Sequence, residues 1–308
     1  MTHRVLLTGV GGFVGSQLAR QLLAEDHEVT ALISPSTNRW RISDIENKLS
    51  LIDSDLTNVK AIAGRIREAR SDICIHLAWH GWAGQASADE NLSSLSVSLE
   101  LLRIMPAIGC RRFVAAGTCY EYDLGGERLA ETTALRPHNV YGLCKKSMFE
   151  VSQVFGKLAG LSVLNPRLFY SYGPFEDTRR VVPAIALCLL RGEVAKVTPG
   201  LQIRDYLHVE DVARAIWAAT QSPVTGAVNI ASGEPVTIAE IARTIGRLLG
   251  KSHLVSIGAD RYREDDPMRV LADATLLRRE IGWAPRYNLE DGLAHTLAWL
   301  EARAGQVK

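Results

Sequence analysis

Residues 4–20 read RVLLTGVGGFVGSQLAR. A short apolar run, Val5-Leu6-Leu7, leads into Thr8-Gly9-Val10-Gly11-Gly12-Phe13-Val14-Gly15, and an amphipathic stretch follows. A turn between a buried strand and a helix start exposes backbone N–H groups and the positive end of the helix dipole, where a phosphate can bind. The dinucleotide fingerprint G-x-G-x-x-G would put its third glycine at position 14, which is Val. Glycine instead recurs at Gly9, Gly12 and Gly15, with Gly11 an extra small residue in the turn. Gly15 falls on the first helical turn, where a small side chain permits close packing on the strand. The loop fits a pyrophosphate cradle, and it also fits a tight strand-to-helix turn with no ligand.

Outward from this loop, short apolar runs alternate with amphipathic stretches. Strands are predicted at Arg4–Thr8, Glu28–Ile33, Leu49–Ile52, Ile73–Ala78, Arg112–Ala116 and Ser162–Pro166, and helices at Phe13–Glu25, Asn58–Arg70, Asp89–Ile108 and Asn139–Leu158. Strands bracketed by helices imply right-handed βαβ units, and strands that are nearly all apolar imply a sheet covered on both faces. The expected fold class is α/β, a Rossmann-type doubly wound parallel sheet. After about Tyr170 the rhythm changes. A Gly/Pro/Arg-rich loop (171–180) precedes an apolar helix at Val182–Arg191. Then follow Leu201–Val209, a helix at Glu210–Gln221, a strand at Ala227–Ile230, and helices near Ile238–Leu249 and Leu289–Ala302. The expected division is a dinucleotide-binding domain over 1–169, with later returns near 205–231, and a smaller C-terminal α/β substrate lobe over 170–308.

The 308 residues are 47% hydrophobic and 22% charged, as in ordinary soluble globular proteins. A balance of 35 basic and 34 acidic residues, net +1, gives no support to a nucleic-acid or membrane-surface role. No apolar run approaches the roughly 20 residues that span a bilayer. The N-terminus enters a strand at once, so no signal peptide is expected. Five scattered cysteines, Cys74, Cys110, Cys119, Cys144 and Cys188, form no C-x-x-C or His/Cys ligand cluster. No metal site and a reducing, cytoplasmic setting are expected.

Tyr141-Gly142-Leu143-Cys144-Lys145 places a phenol and an amine at i and i+4, on one face of a helix. An ammonium beside a phenol stabilises phenolate and draws its pKa down from about 10. Such a phenol can exchange a proton during carbonyl–alcohol interconversion. A surface pair has the same spacing. Upstream, the fifth strand ends in Ala116-Gly117-Thr118-Cys119-Tyr120-Glu121-Tyr122.

The glycine loop T-G-x-x-G-F-x-G, Thr118 and Tyr141/Lys145, in this order and on these elements, resemble the extended short-chain dehydrogenase/reductase family, the NAD(P)-dependent epimerases, dehydratases and reductases of nucleotide sugars. The likeness runs nearly the whole chain. Pro166–Pro174 resembles R-x-x-N-x-Y-G-P. Arg204–Val212 resembles R-D-[FY]-x-H-V-x-D-V. Arg263–Asp266 resembles R-x-x-D, and Gly282–Pro285 resembles G-W-x-P. The resemblance implies that Thr118 positions the reacting oxygen, Tyr141 transfers the proton, and Lys145 supports Tyr141 and the nicotinamide ribose. It implies cofactor contacts at Gly9, Gly12, Phe13, Val14 and Gly15, at Asp55 and Leu56 beside the adenine, and at Leu77 and Ala78. For Asp55 a plain helix N-cap is an equal reading. Arg204 and Arg263, and after them Arg179 and Arg180, become candidates for the substrate diphosphate, against a surface salt bridge for each. His208 and Asp211 are read as structural.

Four departures narrow the expectation. The second strand ends in Ile33-Ser34-Pro35-Ser36, without the acidic residue that holds an NAD ribose 2′-OH. Ser34, Ser36, Arg39 and Arg41 favour a 2′-phosphate, hence NADP(H) over NAD(H). Cys119-Tyr120 stand where 4,6-dehydratases carry Asp-Glu, which argues against dehydration. Tyr170 replaces the family's Asn. The loop Trp79–Gly84 is rich in aromatics, and Trp79 is expected in the sugar pocket. His80 there is weighed as an extra acid/base against an ordinary loop histidine. The expected activity is NADPH-dependent reduction of the C4 keto group of a nucleotide-activated 4-keto-6-deoxyhexose. The alternative is an NAD-dependent nucleotide-sugar 4-epimerase. A non-catalytic dinucleotide-binding regulator is disfavoured because both Tyr141 and Lys145 are kept. The resemblance also implies a homodimer through Asp89–Ile108 and Asn139–Leu158, where Leu92, Leu95, Leu99, Leu102 and Phe149 fit an interface or a core.

Overall fold

A computed structural model of the chain describes residues 2–80, 87–262 and 266–304. The first half runs β1 (Arg4–Thr8), α1 (Phe13–Ala24), β2 (Glu28–Ile33), β3 (Ser50–Asp53), α2 (Val59–Glu68), β4 (Ile73–His76), α3 (Ala88–Ile104), β5 (Arg112–Ala115), β6 (Gly117–Thr118), α4 (Val140–Ala159) and β7 (Ser162–Leu168). The second half runs β8 (Tyr170–Tyr172), α5 (Val181–Leu190), β9 (Ala195–Val197), β10 (Ile203–His208), α6 (Val209–Gln221), β11 (Gly226–Ile230), β12 (Pro235–Thr237), α7 (Ile238–Leu248), β13 (Val255–Ile257), β14 (Arg269–Val270) and α8 (Leu289–Ala304).

The main sheet has the order β11-β7-β5-β4-β1-β2-β3, with β6 beside β7, and its pairings are parallel. This is the doubly wound Rossmann-type arrangement expected from the sequence. Alternation along β1 explains why both faces are apolar. Val5 and Leu7 pack into one core with Leu18 and Leu22 of α1 and Val212, Ile216 and Trp217 of α6. Leu6 packs into the other with Ile62 and Ile66 of α2, Leu101 and Leu102 of α3, and Met148 of α4. A third core joins α5, α7 and α8.

The differences from the sequence reading have local causes. The third helix ends at Ile104, short of Ile108, because Pro106 opens a separate 3₁₀ turn that Gly109 closes at φ +84°. Strands β8, β9, β12, β13 and β14 are two or three residues long, too short for a period to register. Of the stretch expected to return near 205–231, β10 belongs to the small sheet with β8, β12 and β14. Helix α6 packs on α1, and β11 pairs with β7.

Two buried aspartates in the β10–α6 segment tie these parts together. Asp205 accepts from Ser232 N and Oγ, Gly233 N and Ala272 N. Asp211 accepts from Arg286 N, Tyr287 N and Arg214 Nη1, and so anchors the Gly282–Pro285 region to the start of α6. His208 caps the same helix through its side chain. The structural reading of both residues therefore fits their contacts. Asp211→Ala leaves two backbone donors and a guanidinium without their acceptor. It is expected to lower unfolding free energy by about 2–4 kcal/mol. Equilibrium urea unfolding measures this; an unchanged midpoint would mean that water replaces the carboxylate.

Candidate functional site

The crevice forms between β1 and β4, where connections leave the sheet in opposite directions. Gly9 sits at φ +77°, and a Cβ there would lie 2.7 Å from Ala78 N. A Cβ on Gly15 would overlap the Gly9 carbonyl. The loop is thus interlocked with the chain leaving β4, and Thr8 Oγ1 accepts from Ala78 N and bonds His76 Nδ1 at 2.7 Å. Gly12 is the N-cap of α1 with no side-chain cap, so the amides that open the helix face the crevice without side-chain partners. These donors, in an apolar crevice, fit a dinucleotide pyrophosphate.

One cavity of about 460 Å³ runs from Gly9, Gly12, Phe13, Val14 and Gly15 past Leu77 and Trp79 to Thr118, Tyr120, Tyr141, Lys145 and Tyr170, ending at Glu176 and Arg180. Asn139 caps α4 by accepting from Gly142 N at 2.8 Å. Gly142 packs against the Tyr120 turn, where a side chain would collide with the Tyr120 carbonyl. That contact brings Tyr141 beside Tyr120, with ring centroids 6.4 Å apart. Thr118 lines the same cavity beside the Tyr141 phenol.

Beneath Thr118 lies a fully buried pair, Glu121 and Arg167, with Nε to Oε2 at 2.9 Å. Glu121 Oε1 accepts from Thr118 N at 2.9 Å. Arg167 also donates to Tyr122 Oη, which donates to Asn229 Oδ1. A Cβ on Gly117 would lie 2.6 Å from Asn165 Oδ1, so this strand end admits only glycine beside the pair.

The electrostatics differ from the expectation for Lys145. Its Nζ donates to Ala116 O at 2.9 Å and lies 3.9 Å from the Trp79 ring centroid. It is 5.9 Å from the Tyr141 centroid. Burial pulls Lys145 down to about 7, with Glu121 opposing. Burial likewise pushes Tyr141 above its ordinary value, and the neighbouring Thr118 hydroxyl only partly offsets this. His76, bonded by Thr8 and Ser98, is held down to about 3 by burial and by Lys145. Low dielectric, which favours neutral forms, outweighs phenolate stabilisation by the amine.

The remaining candidates are dispersed. Ser34 and Ser36 bond each other at 2.9 Å, and Arg39 is taken by Glu46 and Asp53. Asp55 caps the turn at Leu56 through Thr57 N. None of these, nor Ala78, lines the cavity. Arg204 is buried, binds Asp266 at 2.6 Å and sits 5.2 Å from the Tyr170 ring centroid, behind the cavity wall. Arg179 is bound by Asp177 and lines a neighbouring cleft. His80 bonds Ser94, away from the cavity. Arg263 and residues 81–86 lie outside the described residues. Sequence reasoning missed Glu121, Tyr120 and Glu176. Tyr120 bonds Tyr170 through the phenols at 3.1 Å, and the two reach each other across 50 residues.

Two outcomes test this geometry. Arg167→Met leaves Glu121 buried without its counter-ion and is expected to cost about 3–5 kcal/mol of stability, read by denaturant unfolding. Lys145 has a folded-state pKa below its unfolded value. The unfolded chain therefore binds more protons between about pH 7 and 10.5, and this residue's contribution to stability rises with pH across that window. Melting of the wild type should gain on Lys145→Met between pH 7 and 9.5. A pH-independent difference would contradict the depressed amine.

The family model for the NAD dependent epimerase/dehydratase family matches residues 5–231. A dTDP-glucose 4,6-dehydratase from Streptomyces griseus is 30% identical, covering 97% of this chain and 94% of its own. A UDP-glucuronate 4-epimerase from Thermodesulfobacterium geofontis is 26% identical over 98% of each chain. Among solved structures, a UDP-glucose 4-epimerase from Thermus thermophilus in complex with NAD aligns with a TM-score of 0.84 and 26% identity, covering 97% of this chain and 99% of that one. Its sequence, its parallel sheet and the match from β1 through β11 agree, and the chain belongs to the NAD dependent epimerase/dehydratase family.

Proposed function

We propose that the protein reduces the C4 keto group of a nucleotide-activated 4-keto-6-deoxyhexose, using NADPH. The observation that carries this reading is a single cavity holding Thr118, Tyr141 and Lys145 beside the glycine loop, with Cys119 and Tyr120 rather than two carboxylates after Thr118. Glu121, the nearest carboxylate in sequence, is buried against Arg167 and is not a free base for water elimination. The nicotinamide, when bound, supplies the hydride. Tyr141 gives its phenolic proton to the carbonyl oxygen, Thr118 hydrogen-bonds and orients that oxygen, and Lys145 holds the protonic balance of Tyr141. Gly9, Gly12 and the amides of Phe13, Val14 and Gly15 hold the pyrophosphate. Trp79, Tyr120 and Tyr170 border the sugar, Arg263 serves the diphosphate end, and Arg204 reaches a diphosphate only by giving up Asp266. Ser34 and Ser36 serve a 2′-phosphate, for which Arg39 must exchange a carboxylate partner.

That pairing of Arg39 with Glu46 and Asp53 favours a second reading, an NAD-dependent 4-epimerase. The two readings differ in net chemistry. The reductase oxidises one NADPH per keto sugar consumed. The epimerase interconverts non-keto sugars with no net cofactor change. Absorbance at the nicotinamide band with each substrate class decides between them. Tyr141→Phe is expected to lower kcat by at least about 100-fold with cofactor affinity retained. Full turnover by that variant would falsify the proton-transfer role.

The exposed apolar side chains Leu92 of α3 and Leu143, Val151, Val154 and Leu158 of α4 support a homodimer through these helices. Leu102 is core instead. Val154→Glu is expected to give a monomer by light scattering. A dimer of unchanged mass would place the interface elsewhere. Free thiols at all five cysteines suit a reducing, cytoplasmic setting.

A further inference from the structure

A second cleft, of about 480 Å³, opens between the Trp40–Arg41 loop, the Glu176–Arg179 turn and the end of α8. Two guanidinium groups converge in it. Arg41 lies 4.5 Å and Arg303 4.2 Å from the centroid of one ring, Trp40. Arg41 donates Nε to Phe175 O at 2.9 Å and Nη1 to Gly11 O at 3.4 Å, both uncharged acceptors. Among the described residues neither arginine has a carboxylate within ion-pair distance. The one ionised carboxylate on the wall, Asp177, is held at two points by Arg179, at 2.9 and 2.7 Å.

The scaffold of the cleft is aromatic. Trp40 stacks on Phe175 at 5.6 Å, and Phe175 meets Trp299 of α8 at 4.9 Å. Phe175 itself is held at φ +71°, a left-handed conformation that a bulky residue adopts only under packing constraint. Behind it, Glu176 is 7% exposed, and its Oε2 is buried without a hydrogen-bond partner. Burial pushes this carboxyl up to about 8, with Arg180, 3.7 Å from its other oxygen, opposing, so Glu176 adds little negative charge to the wall. Arg41 and Arg303 repel each other across the one aromatic ring, and Asp177, beyond ion-pair distance, offsets this at Arg41 only in part. A bridging oxyanion removes that repulsion and gains charge-assisted hydrogen bonds.

We propose that this cleft binds a small phosphate-bearing anion between Arg41 and Arg303, beside the cofactor cavity and sharing Arg41 with it. Arg303, Trp40 and Trp299 line only the second cleft, whereas Arg41 lines both cavities and touches the glycine loop through Gly11. The same residue would therefore sense an anion on one side and a dinucleotide pyrophosphate on the other. The site stands whether the enzyme is a reductase or an epimerase.

Inorganic pyrophosphate is the probe, titrated by calorimetry into the full chain already saturated with whichever of NAD⁺ or NADP⁺ binds more tightly. One site is expected in the wild type. Arg303→Ala should weaken it by about tenfold or more, and Arg303→Lys should keep part of it. Dinucleotide affinity and melting temperature without ligand should be unchanged in Arg303→Ala, since Arg303 is exposed and off the cofactor cavity. Three results would overturn the proposal. They are no pyrophosphate binding at millimolar concentration, equal binding by Arg303→Ala, and pyrophosphate that binds only when the dinucleotide is left out. The last result would assign the anion to positions that the dinucleotide's own phosphates take, at the glycine loop or at Arg41.

Discussion

Glu121 and Arg167 form an ion pair with no access to water, at the point where the main sheet meets the reacting end of the crevice. A buried pair is costly to assemble, and its geometry is tolerated only when every remaining donor and acceptor is satisfied. Here the satisfaction is extensive. One carboxylate oxygen takes the Thr118 amide, the other takes Arg167 Nε, and the guanidinium passes the chain of bonds to Tyr122 and Asn229. Asn229 in turn binds the carbonyls of Leu129 and Asp273. The network thus joins β6, β7, β11 and the segment after β14. Thr118 inherits its position from it, and Tyr141 inherits its neighbour.

The same dryness governs the chemistry. Tyr141, Lys145 and His76 are all pushed towards their uncharged forms by burial. A phenol that keeps its proton is suited to giving it up to an oxygen that becomes negative beside it. An amine near neutrality adjusts its own charge at little cost. Trp79 presents its ring to the amine and donates its indole N–H to Asn91. Fixed dipoles of the protein, rather than solvent, surround these groups.

Much of this was legible in the amino-acid order. The βαβ rhythm, the spacing Gly9/Gly12/Gly15 and the i, i+4 pair Tyr141/Lys145 are local patterns, and each reports a local requirement of strand, turn or helix. What escaped depends on contacts between distant segments. The carboxylate of Glu121 looked like one polar residue in a loop, because its partner lies 46 positions on. Arg39 offered a free cation on paper, and the fold spends it on Glu46 and Asp53. Arg204 carried a motif expected at the substrate and is engaged by Asp266 behind Tyr170. Spacing along a chain records which residues share an element; it does not record what the neighbouring element places opposite them.

The late return of β11 to the edge of β7, with α6 laid over α1, bears on how the gene can be divided. A product stopped near residue 169 would contain the whole glycine loop and the Tyr141/Lys145 pair. It would also present an open strand edge at β7 and an uncovered apolar surface at Leu18, Ala19 and Leu22. Such a fragment is a template for self-association rather than a portable nucleotide-binding module. Domain shuffling that treats the first half as a cassette must therefore carry the chain through Ile230, and selection acts on the two halves as one inherited unit.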